Sequence, residues 1–103
     1  TYIFDNTQQG KNTIVTGGNT GLGQAFSVAL AKAGANVLVI SLIEEDGETR
    51  GWVEDCGVQY QYLHGDITAD GECKRAVDAC VAGWGSIDIL VNCAGICINI
   101  EDV

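Results

Sequence analysis

An α/β fold with a parallel sheet is predicted by three observations. Apolar, β-branched runs recur at intervals too long for hairpins; helix-period stretches fill each interval; and a glycine-rich turn, Thr16-Gly17-Gly18-Asn19-Thr20-Gly21-Leu22-Gly23, joins the first run to the first helix. Such a turn lets the backbone bend tightly and approach an anion without a Cβ in the way, while the N–H groups of the helix's first turn point at it.

Residues 1–12 read as a polar lead-in ending in the turn Gln8-Gln9-Gly10-Lys11-Asn12, and the first strand covers Asn12 to Thr16. The helical pattern runs from Leu22 to Ala33, with Leu22, Ala25, Phe26, Ala29, Leu30 and Ala33 on one predicted buried face and Gly34 as its stop. Asn36 to Ile40 is a near-continuous apolar run, as expected of a strand buried on both sides. A weak helix over Asp46 to Asp55 would carry Trp52 and Val53 inward, and Gln59 to Leu63 alternates as the third strand, closed by Gly65 and Asp66. Thr68 is placed to cap a third helix whose inward positions are Cys73, Ala76, Val77, Cys80, Val81 and Trp84. Ile87 to Asn92 forms strand four, and Cys93-Ala94-Gly95 turns away from its carboxyl end. Right-handed crossovers then give a Rossmann-type sheet of order 3-2-1-4 with helices on both faces, ending after the fourth strand. Ligands of such a sheet collect beyond strands one and four, where the glycine turn and Asn92 to Gly95 converge.

Length and composition narrow the functions. A chain of 103 residues makes at most one domain, read as 1–103, and its 47% hydrophobic content suits a globular core. No apolar run approaches the roughly 18 residues of a membrane span, and no secretory signal opens the chain. Fourteen acidic against five basic residues give a net charge of −9, which repels a phosphate backbone and argues against nucleic acid as a partner. The five cysteines, Cys56, Cys73, Cys80, Cys93 and Cys97, include no CxxC pair and meet only one histidine, His64. They read as reduced, mostly buried thiols of a cytoplasmic protein rather than a disulfide framework or zinc site. Glu44, Glu45, Asp46 and Glu48 lack the alternation of a calcium loop and read as a solvated stretch, so no metal is expected. Position 1 is not methionine, so the chain does not begin at an unprocessed translation start.

The run Thr16-Gly17-x-x-x-Gly21-x-Gly23, Asp66-Ile67-Thr68 after strand three, and Asn92-Cys93-Ala94-Gly95 after strand four together resemble the first half of the short-chain dehydrogenase/reductase family. The resemblance extends from about Phe4 to Ile96, and Gly85 to Asn92 is similar to the family's fourth strand. Within the family, Gly18 to Gln24 with Ala31-Lys32-Ala33-Gly34-Ala35 is similar to sugar-acid enzymes such as gluconate 5-dehydrogenase and 2-deoxy-gluconate 3-dehydrogenase.

The resemblance implies a dinucleotide site. Gly17, Gly21 and Gly23 would lie under the pyrophosphate and adenosine ribose, with Asn19, Thr20 and Leu22 lining the turn. Asp66 would accept from the adenine amino group beside the Ile67 N–H; Asn92 would steady the sheet while Ala94 and Gly95 admit the cofactor. Cys93 stands where the family has a second asparagine, which puts that residue's hydrogen bonds in question. Ser41 ends strand two, where a carboxylate would chelate the NAD ribose and a basic group would meet the NADP phosphate. With Glu44, Glu45 and Asp46 following and no basic residue between Ala33 and Thr49, NAD is expected over NADP.

The implied activity is hydride transfer between NAD or NADP and a carbonyl or alcohol substrate, such as a sugar acid, in a homo-oligomeric parent. The family's catalytic tyrosine is followed four residues on by lysine and assisted by serine. Tyr2, Tyr60 and Tyr62 have no lysine at that spacing, so no catalytic residue is assigned and the chain alone is expected to be inactive. The competing expectation is a non-catalytic nucleotide-binding or protein-interaction module, whose fourth strand would leave an apolar edge for a partner.

Overall fold

A computed structural model describes residues 8–93. Strands and helices alternate through them: β1 (Asn12–Thr16), α1 (Gly21–Lys32), β2 (Asn36–Ser41), α2 (Glu48–Glu54), β3 (Tyr60–His64), α3 (Glu72–Trp84) and β4 (Ile89–Asn92). The sheet is parallel throughout, in the order β3-β2-β1-β4. Ile14 of β1 lies level with Leu38 of β2 and Leu90 of β4, which puts the two central strands under helices on both sides.

Side-chain alternation divides the core between the two faces. Val15, Val37 and Val39 face α1 and α2, meeting Ala31, Val53 and Tyr60. Ile14, Leu38 and Ile40 face α3, meeting Ala76 and Cys80. The amino ends of the strands are joined by amides: Asn36 Nδ2 donates to Asn12 Oδ1 at 2.9 Å, and the Gln59 N–H donates to Asn36 Oδ1 at 2.9 Å. None of the helices among the described residues is long and apolar enough to cross a membrane.

Five expectations need correction. The buried residues of α1 are Gly23, Ser27 and Ala31, whereas Leu22 is 70% and Phe26 42% exposed. The helix starts against the glycine turn, and there only its smallest side chains fit between it and the sheet, so Leu22 and Phe26 turn outward; further along, Leu30 packs against the core and Ala33 is buried as expected. Trp52 is 48% exposed, beside a groove lined by Ala25 and Ala29, because a helix as short as α2 turns only Thr49 and Val53 fully inward. Thr68 does not cap α3, whose N-cap is Gly71; its hydroxyl and N–H both donate to Asp66 Oδ1 instead, a local turn that outcompetes an earlier helix start. Of the described cysteines, all free, Cys80 alone is buried, and Val81 on α3 is exposed. Strand ends also shift: β2 extends to Ser41, β3 to His64, and β4 starts at Ile89.

Candidate functional site

The carboxyl ends of β1 and β4 are tied together by Thr16. Its Oγ1 donates to Asn92 Oδ1 at 2.8 Å and accepts from the Cys93 N–H at 3.0 Å, and that N–H also reaches the Thr16 carbonyl at 3.1 Å. Asn92 therefore holds the sheet end. Position 93 contributes through its backbone, so replacing an amide side chain by a thiol leaves these bonds in place.

From Thr16 the chain enters the glycine turn, with the Gly17 N–H donating to the Ile40 carbonyl at 2.9 Å. Gly17 (φ +63°) and Gly21 (φ +51°) hold the left-handed backbone that other residues adopt at a cost. Gly18 and Gly23 are glycine for space. A Cβ on Gly18 would stand 2.7 Å from Val39 Cγ2 and 2.8 Å from Ser27 Oγ, and one on Gly23 would stand 2.0 Å from the Gly17 carbonyl oxygen. The buried Ser27 hydroxyl lies 2.8 Å from the Gly18 carbonyl and 3.0 Å from that of Gly23, joining turn to helix. Apolar periodicity does not single out Ser27; its signal is a serine placed four residues after Gly23, on the same helix face. Ser27→Ala is expected to lower stability by about 1–2 kcal/mol, the cost of leaving a buried acceptor short of its donor, read as a lower melting temperature.

Thr20 sits at the N-cap of α1 in extended conformation, and its side chain makes no capping bond. The first-turn N–H groups are thus not answered by a capping side chain, and Gly21, Leu22 and Gly23 border a cavity of about 650 Å³. An anionic group there would meet backbone donors and the positive end of the helix dipole. Of the other predicted residues, Gly17, Thr20, Ser41, Asp66 and Ile67 also line this cavity. Asn19 and Asn92 do not line it: Asn19 bonds the Ile43 carbonyl of its wall and Asn92 bonds Thr16 at the sheet end; Ala94 and Gly95 lie outside the described residues. The sequence reading missed Leu42 and Ile43, which line the cavity while 60% and 54% exposed. Their signal was two large apolar residues placed just past a strand, where a solvated loop would be polar.

Asp66 lines the cavity from the loop after β3. One oxygen, Oδ1, closes the turn with Thr68, and those two hydrogen bonds lower the carboxyl's pKa, so it is a charged acceptor at neutral pH. Cys93 also lines the cavity; burial raises its pKa, which keeps it a neutral thiol. Ser41 Oγ accepts from the Ile43 N–H at 3.0 Å, which fixes the start of the loop after β2. No cluster of three or more His, Cys, Asp or Glu side chains that could hold a metal ion occurs among the described residues.

The parallel sheet with its glycine turn at the strand reversal matches known proteins. The family model described as short chain dehydrogenase covers residues 11–103. This chain belongs to that family. It is 51% identical over 89 residues to the uncharacterized oxidoreductase YgcW of Escherichia coli K12, covering 86% of this chain and 34% of that protein. It is 39% identical over 94 residues to the 2-dehydro-3-deoxy-D-gluconate 5-dehydrogenase of the same organism, covering 91% and 36% respectively. In structure it superposes, with a TM-score of 0.73 and 37% identity, on a protein of Sinorhizobium meliloti 1021 described as a short-chain alcohol dehydrogenase, over 80% of this chain and 33% of that one. The chain therefore spans about a third of the length of these relatives.

Proposed function

We propose that this chain is the NAD(P)-binding portion of an oxidoreductase that moves hydride between a nicotinamide cofactor and a carbonyl or alcohol substrate, of the sugar-acid class. The observation that carries the reading is the uncapped start of α1 opening, through Gly21 to Gly23, into the 650 Å³ cavity at the switch point between β1 and β4. The space fits the adenosine and pyrophosphate end of a dinucleotide. In this reading Gly17, Asn19, Thr20, Gly21, Leu22 and Gly23 form or shape the pyrophosphate cradle. Asp66 and Ile67 meet the adenine edge, Ser41 faces the ribose, and Asn92, Ala94 and Gly95 bound the passage toward the nicotinamide.

The bound cofactor supplies the hydride donor or acceptor; this chain's residues bind and orient it. Proton transfer at the substrate is assigned to residues outside the 103, since no tyrosine here is followed by lysine four positions on. The sugar-acid assignment is supported by the 39% identity to the 2-dehydro-3-deoxy-D-gluconate 5-dehydrogenase of Escherichia coli. A cytoplasmic, homo-oligomeric parent is part of the same proposal.

NAD is favoured over NADP. Leu42 and Ile43 line the ribose side of the cavity, and the side chain of Glu44, which follows them, is 82% exposed. A 2′-phosphate there would lose water against apolar side chains and stand near a carboxylate. Calorimetric titration of the intact protein is expected to give at least threefold tighter binding of NADH than of NADPH. Tighter NADPH reverses the cofactor choice, and no binding of either sinks the functional reading.

A further inference from the structure

The loop between β2 and α2 poses a positioning problem. Leu42 and Ile43 line the cavity but are more than half exposed, so core packing does not hold them in place. Polar bonds do. The Ile43 carbonyl accepts from Asn19 Nδ2 at 2.8 Å, from the glycine turn, and from the Tyr62 hydroxyl at 2.5 Å, from β3. The same hydroxyl lies 3.3 Å from the Ser41 carbonyl, at the point where the loop leaves its strand.

Two residues earlier on the same face of β3, the Tyr60 hydroxyl donates to Glu45 Oε1, and Glu45 Oε2 accepts from the Gly47 N–H at 2.8 Å. The loop is therefore pinned from β3 at both ends, by Tyr60 beside the helix and by Tyr62 beside the cavity. Tyr60 is in the core at 6% exposure and serves the fold. Tyr62 does not line the cavity, and its hydroxyl meets only loop backbone and His64 Nδ1, at 3.2 Å. His64 Nδ1 also lies 3.4 Å from Glu44 Oε1, so the imidazole stands between the Tyr62 hydroxyl and the loop's first carboxylate. Burial, with Glu44 and Glu45 nearby, raises the Tyr62 pKa, so the phenol stays protonated and remains a donor.

We propose that Tyr62 is a positioning residue for the adenosine half of the dinucleotide: its hydroxyl, with Asn19 from the opposite side, fixes the Ile43 carbonyl and so preorganises the Leu42–Ile43 wall. The proposal rests on the dinucleotide reading given above. A wall fixed before binding does not have to be ordered by the ligand, and losing one such bond costs affinity where the wall is touched.

The test is Tyr62→Phe in the intact protein, titrated with ADP-ribose, NADH and nicotinamide mononucleotide, alongside steady-state kinetics. The dissociation constants of ADP-ribose and NADH are expected to rise about three- to tenfold, the range for one hydrogen bond. Nicotinamide mononucleotide affinity and kcat at saturating cofactor should stay unchanged, which a general loss of structure would not allow. Asn19→Ala should give a similar rise, and the double variant less than the product of the two, since both donors act on one carbonyl. An ADP-ribose constant unchanged in Tyr62→Phe, or an equal loss for nicotinamide mononucleotide, overturns the positioning role while leaving the dinucleotide site standing. Failure of the unsubstituted protein to bind ADP-ribose or NADH overturns both.

Discussion

Gly23→Ala is expected to lower dinucleotide affinity at least about tenfold and to destabilise the chain by about 1–3 kcal/mol, although alanine is the better helix former by about 1 kcal/mol. A methyl group at this position would lie 2.0 Å from the Gly17 carbonyl oxygen, 2.7 Å from its carbon and 3.0 Å from Gly18 Cα. All three are backbone atoms, so no side chain can rotate away and the start of α1 must lift from the turn. That movement separates the first-turn N–H groups from Gly17, and the anion cradle depends on their being together. It also pulls on Ser27, whose hydroxyl lies within hydrogen-bond reach of the Gly18 and Gly23 carbonyls. Gly51 provides the internal control. It lies inside α2, a Cβ there meets nothing within 4 Å, and Gly51→Ala should stabilise by about 0.5–1 kcal/mol. Thermal melts of the two variants should move in opposite directions, and a Gly23→Ala protein that melts higher and binds normally would show that the close approach carries no weight.

The contrast between these glycines marks where the sequence was legible. Strand order and the approach of the glycine turn to Asp66 around one cavity were readable because β1 and β2 carry continuous apolar runs and each βα turn carries its own polar signature. The face of α1 was not. Leu22, Phe26 and Leu30 recur at helical spacing, the usual signal of a buried stripe, but only Leu30 packs against the core, and Gly23, Ser27 and Ala31, at the same spacing, are the fully buried set. Periodicity fixes a helix, and the distance of closest approach, imposed here by Gly23 on Gly17, selects which stripe goes inward. Tyr62 was hidden for a related reason. Its position on an alternating strand says which face it takes, whereas its hydroxyl acts on the carbonyl of Ile43 across the loop, a relation with no sequence spacing of its own. Asp66 uses one carboxylate oxygen, Oδ1, for the turn with Thr68, a short-range bond that the Asp-x-Thr spacing makes legible.

Leu38→Ala is the substitution expected to cost most stability, about 2–5 kcal/mol. Leu38 lies in β2 level with Ile14 of β1 and Gln61 of β3, fully buried under α3 among Ile14, Ile40, Ala76 and Cys80. Its neighbours are held by strand pairing on both sides, so the sheet cannot close over the lost volume and a cavity remains. Domains of this size are stable by roughly 5–15 kcal/mol in total, and one such cavity consumes a large share of that. Leu22→Ala removes the same atoms from α1, where the side chain is 70% exposed, and is expected to change stability by no more than about 0.5 kcal/mol. The sequence pattern placed both leucines in the core. Urea denaturation of the two variants therefore measures the helix orientation directly: a fall in midpoint confined to Leu38→Ala supports the small-residue face of α1, and comparable losses would restore the larger ridge to the interior.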